Sequence, residues 1–468
     1  MGVIVRTTCR TCGSTNLTPI LSLGDQYVTN FVDSPEQQGN KIPLELILCQ
    51  DCKLLQLRHT TPPDLMYKMY WYKSGISPTM VAALSDITEK AEKLIQLRDG
   101  DIVIDTGPND GTLLRSYRHK NLKLVGFEPA QNLAPLAAVG TTKVFNDYFN
   151  SAAFRREFDG AKARIITSIA MFYDLEQPNT FVHDITQCLD KDGLWIIQMC
   201  YLPTMLEVNA FDNICHEHLQ YYSLLSLRNL LERHNLNIFD VELNDVNGGS
   251  YRVYIKHVQS NAIRPFPGAE KRIKDLEDYE QRMGLDGVKA YNDFTRKVND
   301  IRSKVTGFIK EETSKGKVVY IYGASTKGNV LLQYFGLDSR LIKAATDKNP
   351  DKWGKKTVGS LIPIVSIEQY RRDKPDYLLV LPWHFDKEIQ EQEKEFLKAG
   401  ENLSFRSRSS GLLEKHEGFG VRDTWWPGVG AFLPRRTCRM LWGAVNRGAY
   451  RVSCLAALSP PKVRIFLT

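Results

Sequence analysis

The chain reads as an α/β protein of three parts: a small N-terminal zinc-binding domain, a central Rossmann-like domain and a second Rossmann-like domain toward the C-terminus. Three observations predict this. Two Cys-x-x-Cys pairs, Cys9-Arg10-Thr11-Cys12 and Cys49-Gln50-Asp51-Cys52, stand near the start. Two strand–glycine turn–helix units follow, one opening at Ile102 and one at Val318. A length of 468 residues exceeds one ordinary domain.

Residues 1–66 are short-stranded and turn-rich. The cysteine pairs, 36 residues apart, suit a tetrahedral four-thiolate zinc site made by Cys9, Cys12, Cys49 and Cys52. A redox pair is the alternative, but two pairs in one small segment argue against it. A domain this small needs a staple, so one structural zinc per chain is expected.

Residues 67–260 alternate strands and helices. Ile102-Val103-Ile104-Asp105 is a short apolar strand, Thr106 to Gly111 is a turn, and Thr112-Leu113-Leu114 opens a helix. Strands follow at 122–128, 164–168 and 194–199, the last after the turn Asp192-Gly193. This is the layout of a doubly wound parallel sheet, with ligands beyond the carboxyl ends of its strands. Residues 261–405 open with charged helices, where Tyr291, Phe294, Val298, Ile301, Val305 and Phe308 make one apolar face for core packing. The second unit then runs through Val318-Val319-Tyr320-Ile321-Tyr322, Gly323-Ala324-Ser325-Thr326-Lys327-Gly328 and a helix from Asn329.

Hydrophobic residues make up 43% of the chain and charged residues 25%, as in globular proteins. No apolar run is long enough to span a membrane, and residues 1–6 lack a signal-peptide layout, so no membrane association and a cytoplasmic location are expected. The net charge of +7 belongs to the tail. From Arg406 onward 11 Lys and Arg face 3 Asp and Glu, which leaves the body at −1, without the footprint of a nucleic-acid binder.

The loop Asp105-Thr106-Gly107-Pro108-Asn109-Asp110-Gly111 lacks the three spaced glycines of the dinucleotide fingerprint. Its acidic ends are awkward for a pyrophosphate and suit a cationic ligand. Glu128, about 20 residues on, is placed to hold ribose hydroxyls. Asp147, 19 residues beyond Glu128, is placed to face an adenine. Ribose, adenine and positive charge without phosphate describe S-adenosylmethionine.

Asn213-Ile214-Cys215-His216-Glu217-His218-Leu219-Gln220-Tyr221-Tyr222-Ser223 concentrates groups that can take a proton from carbon and steady an oxyanion. The spacing is wrong for a helical zinc-protease site, and the bland alternative is a polar loop with structural histidines. Lys327 and Ser325 are placed to hold a substrate pyrophosphate at a helix N-terminus, or are a surface lysine on a packing turn. Gly248-Gly249 is a tight turn or a close backbone approach to the cleft. Arg252 pairs with a phosphate or with a core carboxylate.

In its ordered motifs the chain resembles the zinc-containing, three-domain C-methyltransferases that act on nucleotide-linked deoxy-keto-sugars. The motifs are the two cysteine pairs, Gly107-Pro108-Asn109-Asp110-Gly111-Thr112-Leu113-Leu114, the His216 to Ser223 block, Asn247-Gly248-Gly249-Ser250-Tyr251-Arg252-Val253, Tyr322 to Gly328, and Pro382-Trp383. They span roughly residues 5–405. The resemblance implies zinc on the four cysteines and the methyl donor over Asp105, Gly107, Asp110, Gly111, Glu128 and Asp147. It implies His218 as the base that forms an enolate, helped by Glu217, Tyr72 and Tyr222. Two positions depart from the pattern: Cys215 stands where tyrosine is common, and Asp174 where histidine is. They keep two alternatives open, an O- or N-methyltransferase on another small acceptor and a zinc-stapled S-adenosylmethionine-binding protein without turnover.

Residues 406–468 read as an atypical basic tail outside the functional fold. They hold three of the seven tryptophans and show no sustained hydrophobic period. A reading-frame shift near Ser404-Phe405-Arg406-Ser407-Arg408 is compatible with them, because suitable codons read two nucleotides along give Leu-Pro-Leu-Pro. The alternative is a genuine basic tail for an acidic partner.

Overall fold

The computed structural model describes residues 2–28, 30–381, 389, 391–393 and 464–467. Near the N-terminus the strands are longer than the turn-rich sequence suggests. Leu17–Tyr27 and Lys41–Cys49 pair antiparallel, and Leu55–Leu57 adds to the second. Leu44, Leu46 and Leu48, at alternate positions, are fully buried and set the inner face. The fourth strand of this sheet is not local: Gln220–Tyr221 pairs with Leu55–Leu57. The His216 to Ser223 block is thereby tied to the cysteine-bearing domain.

The central sheet has seven strands, in the order Leu236–Asn244, Ser250–His257, Leu189–Cys200, Ala163–Ile169, Ile102–Asp105, Lys123–Phe127, Lys143–Phe145. Only Ser250–His257 runs against its neighbours. The middle strands are covered on both faces, which explains their continuous apolar runs. Strand order reverses between Ile102–Asp105 and Ala163–Ile169, which opens a crevice at their carboxyl ends.

Two local expectations differ. Thr112-Leu113-Leu114 leads into a single 3-10 turn, Leu114–Ser116, rather than an α-helix. Arg115 folds back onto the carbonyls of Asp110, Leu136 and Val139, and Tyr117 is already extended. Asp192-Gly193 is not a turn before a strand but lies inside Leu189–Cys200, where the register against Ala163–Ile169 slips; Arg164 clasps Asp190 and the Asp192 carbonyl across the bulge.

Helices Ala269–Met283 and Lys289–Ser314 follow, and the expected stripe is the packed one: Tyr291, Phe294 and Val298 are buried, with Ile301, Val305 and Phe308 against the same core. Ile364–Val365, Ala344–Thr346, Val319–Tyr322, Tyr377–Val380 and Arg464–Leu467 then form a parallel sheet. Its last strand comes from the tail expected to stand outside the fold. Pro382-Trp383 and residues 406–463 lie outside the described residues. Among the described residues no helix is long and apolar enough to cross a membrane.

Candidate active site

The four cysteine sulfurs lie within 4.8 Å of one another, with Cys9–Cys52 at 3.4 Å and Cys12–Cys49 at 3.5 Å. Tetrahedral zinc with bonds of about 2.3 Å needs sulfurs about 3.8 Å apart, so the donor set and its size fit that ion. The knuckles also fasten the domain to its neighbour. Asn179 Nδ2 donates to the carbonyls of Arg10 and Thr11, and Asn229 Nδ2 to that of Cys52.

At the strand-order reversal, Asp105 ends its strand almost fully buried, and its Oδ1 has no hydrogen-bond partner. Burial pushes its carboxyl up to about 7; the Thr167 hydroxyl opposes this and the Glu128 charge adds to it. Burial likewise raises Glu128 to about 7, against the amides of Ala130 and Asn109, which donate to its two oxygens at 2.9 and 2.8 Å. An unpartnered buried carboxylate oxygen beside a second fixed carboxylate fits a cationic nucleoside such as S-adenosylmethionine.

Gly107 and Gly111 serve space as much as conformation. A Cβ on Gly107 would meet Met171 at 3.3 Å, and one on Gly111, at φ +82°, would strike the Ala137 backbone at 2.9 Å. Asp110 does not face a free cavity: its Oδ2 accepts the Gly75 amide at 2.7 Å and its Oδ1 accepts Thr112. Asn109 accepts the Ser74 amide and donates to the Tyr72 carbonyl. The loop thus anchors the 70–77 segment across the crevice. Asp147 is exposed and accepts the Tyr148 amide.

A cavity of about 400 Å³ opens between that segment, Glu217 and the second glycine turn. Tyr70, Tyr72 and Met69 line one side, and Tyr322 to Thr326 with Asp347 the other. Glu217 lines this cavity but His218, the next residue, does not; it is buried, with Nδ1 2.8 Å from the Asn213 main-chain carbonyl. A ring nitrogen against a carbonyl carries the proton, so Nε2 is the bare nitrogen. Burial, with the Lys327 charge adding to it, holds this imidazole well below its ordinary range, hence neutral. The Tyr173 ring lies against it, centroids 4.2 Å apart. Asp174, next in the chain, has its carboxyl pushed well up by burial and by Glu217.

Other expected residues are placed elsewhere. His216 donates from Nε2 to the Ile42 carbonyl and pins the N-terminal sheet. Tyr222 is fully buried, packs on Phe172 and donates to Gln220 Oε1. Arg252 is engaged by Gln198, Asp86 and Glu242, the core-carboxylate alternative. Ser325 caps its helix through the Gly328 amide, and Lys327 bonds Asn213 Oδ1 at 2.6 Å. Sequence reasoning missed Asn213, Asn109 and Tyr67, whose hydroxyl donates to the Glu217 carbonyl. Asn213 and Asn109 lie inside the quoted motifs, but their roles, like that of Tyr67, depend on contacts distant in sequence.

Family models match three successive stretches: a zinc binding domain over residues 9–67, a methyltransferase domain over 80–241 and the C-methyltransferase C-terminal domain over 245–406. The C-methyltransferase NovU of Streptomyces niveus is 30% identical over 397 residues, which cover 84% of this chain and 93% of NovU. Among solved structures, magnesium protoporphyrin IX methyltransferase from Synechocystis PCC 6803 with bound SAH is 13% identical over 38% of this chain and 82% of its own, with a TM-score of 0.29. Mitomycin 7-O-methyltransferase MmcR is 12% identical over 39% and 55%, with a TM-score of 0.31. Likenesses this distant bear on neither substrate nor mechanism.

Proposed function

The chain belongs to the C-methyltransferase family in which a zinc-binding domain, a methyltransferase domain and a C-methyltransferase C-terminal domain follow one another, and from that membership we propose that this S-adenosylmethionine-dependent enzyme methylates the carbon beside the ketone of a nucleotide-linked deoxy-sugar. The observation that carries the proposal is His218: a neutral, buried imidazole with Nδ1–H anchored on Asn213 and Nε2 bare.

S-adenosylmethionine supplies a methyl group on a sulfonium sulfur, an electrophile that a carbon nucleophile can take. Asp105 and Glu128 would hold its cationic and ribose ends, with Gly107 and Gly111 keeping the loop open beneath it. Asp110 contributes by fixing the segment that carries Tyr72. Asp147 would meet the adenine from the crevice rim. His218 Nε2 removes the proton next to the ketone, because a carbon nucleophile must first be made by deprotonation. Glu217 and Tyr72 both line the cavity: Glu217 would orient the acceptor by accepting from its hydroxyls, and the Tyr72 hydroxyl would donate to the oxygen of the enolate. The helix start at Ser325 and Thr326 offers backbone amides to the acceptor's phosphates. Tyr222 and Arg252 support the fold around these groups rather than touch the acceptor.

A panel of nucleotide-linked keto-sugars incubated with labelled donor tests the proposal. Label on carbon, lost in His218→Ala, is the expected result. Label on oxygen or nitrogen, or transfer to carbon that survives His218→Ala, would overturn it.

A further inference from the structure

One lysine of the C-terminal domain is not spent on its own domain. Lys327 stands on the first turn of Thr326–Phe335, and its ammonium reaches Asn213 Oδ1 at 2.6 Å. Asn213 is a junction. Its carbonyl accepts His218 Nδ1–H at 2.8 Å and the Tyr221 hydroxyl at 3.2 Å, and its Nδ2 donates to the Ala210 carbonyl at 3.1 Å. The Cys200 thiol approaches the same Oδ1 at 3.4 Å.

We propose that Lys327 is a positioning residue for His218: from the C-terminal domain it fixes Asn213, and Asn213 fixes the imidazole as the Nδ1–H tautomer with Nε2 bare. The proposal rests on the reading of His218 as the base. Two physical effects act together. The hydrogen bond to Oδ1 ties down the Asn213 side chain, and with it the residue whose main-chain carbonyl faces Nδ1. The positive charge disfavours a second proton on the ring. Burial works against the Lys327 charge, but the carboxylates Asp212 and Glu217, which lie around it with Cys200 and Cys215, outweigh that. The Tyr173 ring packs on His218, and around Tyr173 and the loop residues Cys215 and Tyr221 lie Tyr70, Asp174, Cys200 and Glu217. Among these named groups Lys327 is the one that carries a positive charge.

The arrangement also joins two tasks. Ser325 and Thr326 line the cavity, and Lys327 is the next residue. The acceptor's phosphate-facing turn and the anchor of the base therefore share one turn of helix, so the base is ready only where the C-terminal domain is correctly seated.

The test is nitrogen-15 and carbon-13 NMR of the full chain labelled at histidine, with the His218 signals assigned by difference against His218→Gln. In the wild type, Nδ1 should be the protonated nitrogen throughout the neutral range. Lys327→Met removes bond and charge; the expected result is an upward shift of the His218 titration midpoint and loss of the single tautomer. Lys327→Gln keeps a donor without charge; the midpoint should rise while the tautomer stays. Equal melting temperatures and donor affinity show that the fold is intact, and should Lys327→Met fail to fold, Lys327→Gln alone decides on the midpoint. A midpoint unchanged in the folded variants overturns the proposal. The readout needs no acceptor, so its failure is distinct from that of the assigned reaction, which is judged by whether His218→Ala still transfers methyl.

Discussion

The crevice proposed for the donor and the cavity proposed for the acceptor are built on opposite plans. The crevice is local in sequence: Asp105, Gly107, Asn109 and Glu128 come from two adjacent strands and one loop, held by backbone amides. The cavity is assembled from distant pieces. Its base is anchored by Asn213, its loop is pinned to Ile42, and its far wall is the glycine turn at 323–326. A site made of neighbouring backbone tolerates change elsewhere. A site held by long-range contacts, His216 to Ile42 and Lys327 to Asn213, is only as ordered as the domains that meet there. Zinc on the four cysteines would therefore bear on the acceptor side without touching an acceptor, because Cys49 ends the strand whose Ile42 holds His216.

The largest effect should separate the two sites. His218→Ala is expected to cut methyl transfer by about 10²–10⁴-fold, the usual contribution of a positioned base, while donor affinity measured by calorimetry stays within about twofold. A parallel loss of donor binding would mean the two sites are not separable. Next comes the metal. Cys49→Ser should lose about one equivalent of zinc by metal analysis and destabilise the N-terminal domain by roughly 3 kcal/mol or more, with acceptor turnover lost before donor binding. A fully folded, metal-free protein of normal activity would break the link drawn above. Smaller again is Glu128→Ala. If Glu128, which bonds two amides, also holds the ribose as proposed, its removal should weaken the donor by about ten- to a hundredfold, as expected for a charge-assisted contact of about 1.5–3 kcal/mol. It should leave the His218 tautomer untouched.

The same contrast explains what could be read from the sequence. The strand, the glycine turn and the approach of Glu128 to that turn were legible because they follow each other at fixed spacing. So was the cysteine site, whose four ligands lie in two short motifs. The His216 to Ser223 block was legible as chemistry but not as geometry. In Gln220–Tyr221, paired as a strand, successive side chains point to opposite faces. Tyr221 meets Asn213, and Tyr222 turns into the core against Phe172. Nothing in the sequence says which tyrosine faces the base until the strand's partner, Leu55–Leu57, is known. His216 and His218 would share a side in an extended chain, but a turn at 216–217 parts them, one to Ile42 and one to Asn213. Arg252 was ambiguous for the same reason: its partner Asp86 lies on a helix 166 residues away in sequence.

The smallest expected effect is in pH, and it draws the sharpest line between the sites. Burial raises both Asp105 and Glu128 to about 7 in the donor-free chain, from ordinary values of 3.8 and 4.5. A carboxyl raised in the folded state adds stability that is fully present below its unfolded value and is lost as pH rises through about 7. On account of these two groups the free chain should therefore melt lower at pH 8 than at pH 5. A cationic donor reverses the balance, because it favours the ionised carboxylates. Its affinity should rise by about tenfold per participating carboxyl between pH 6 and 8, and the increase in melting temperature it produces should grow over the same range. His218, held well below its ordinary 6.5, is neutral across this window and contributes no such slope. Glu128→Gln should remove one of the two contributions and flatten the profile, whereas His218→Gln should leave it unchanged. Donor affinity that is constant from pH 6 to 8, measured by calorimetry, would show that the buried carboxyls do not face the donor and would return the crevice to a structural role.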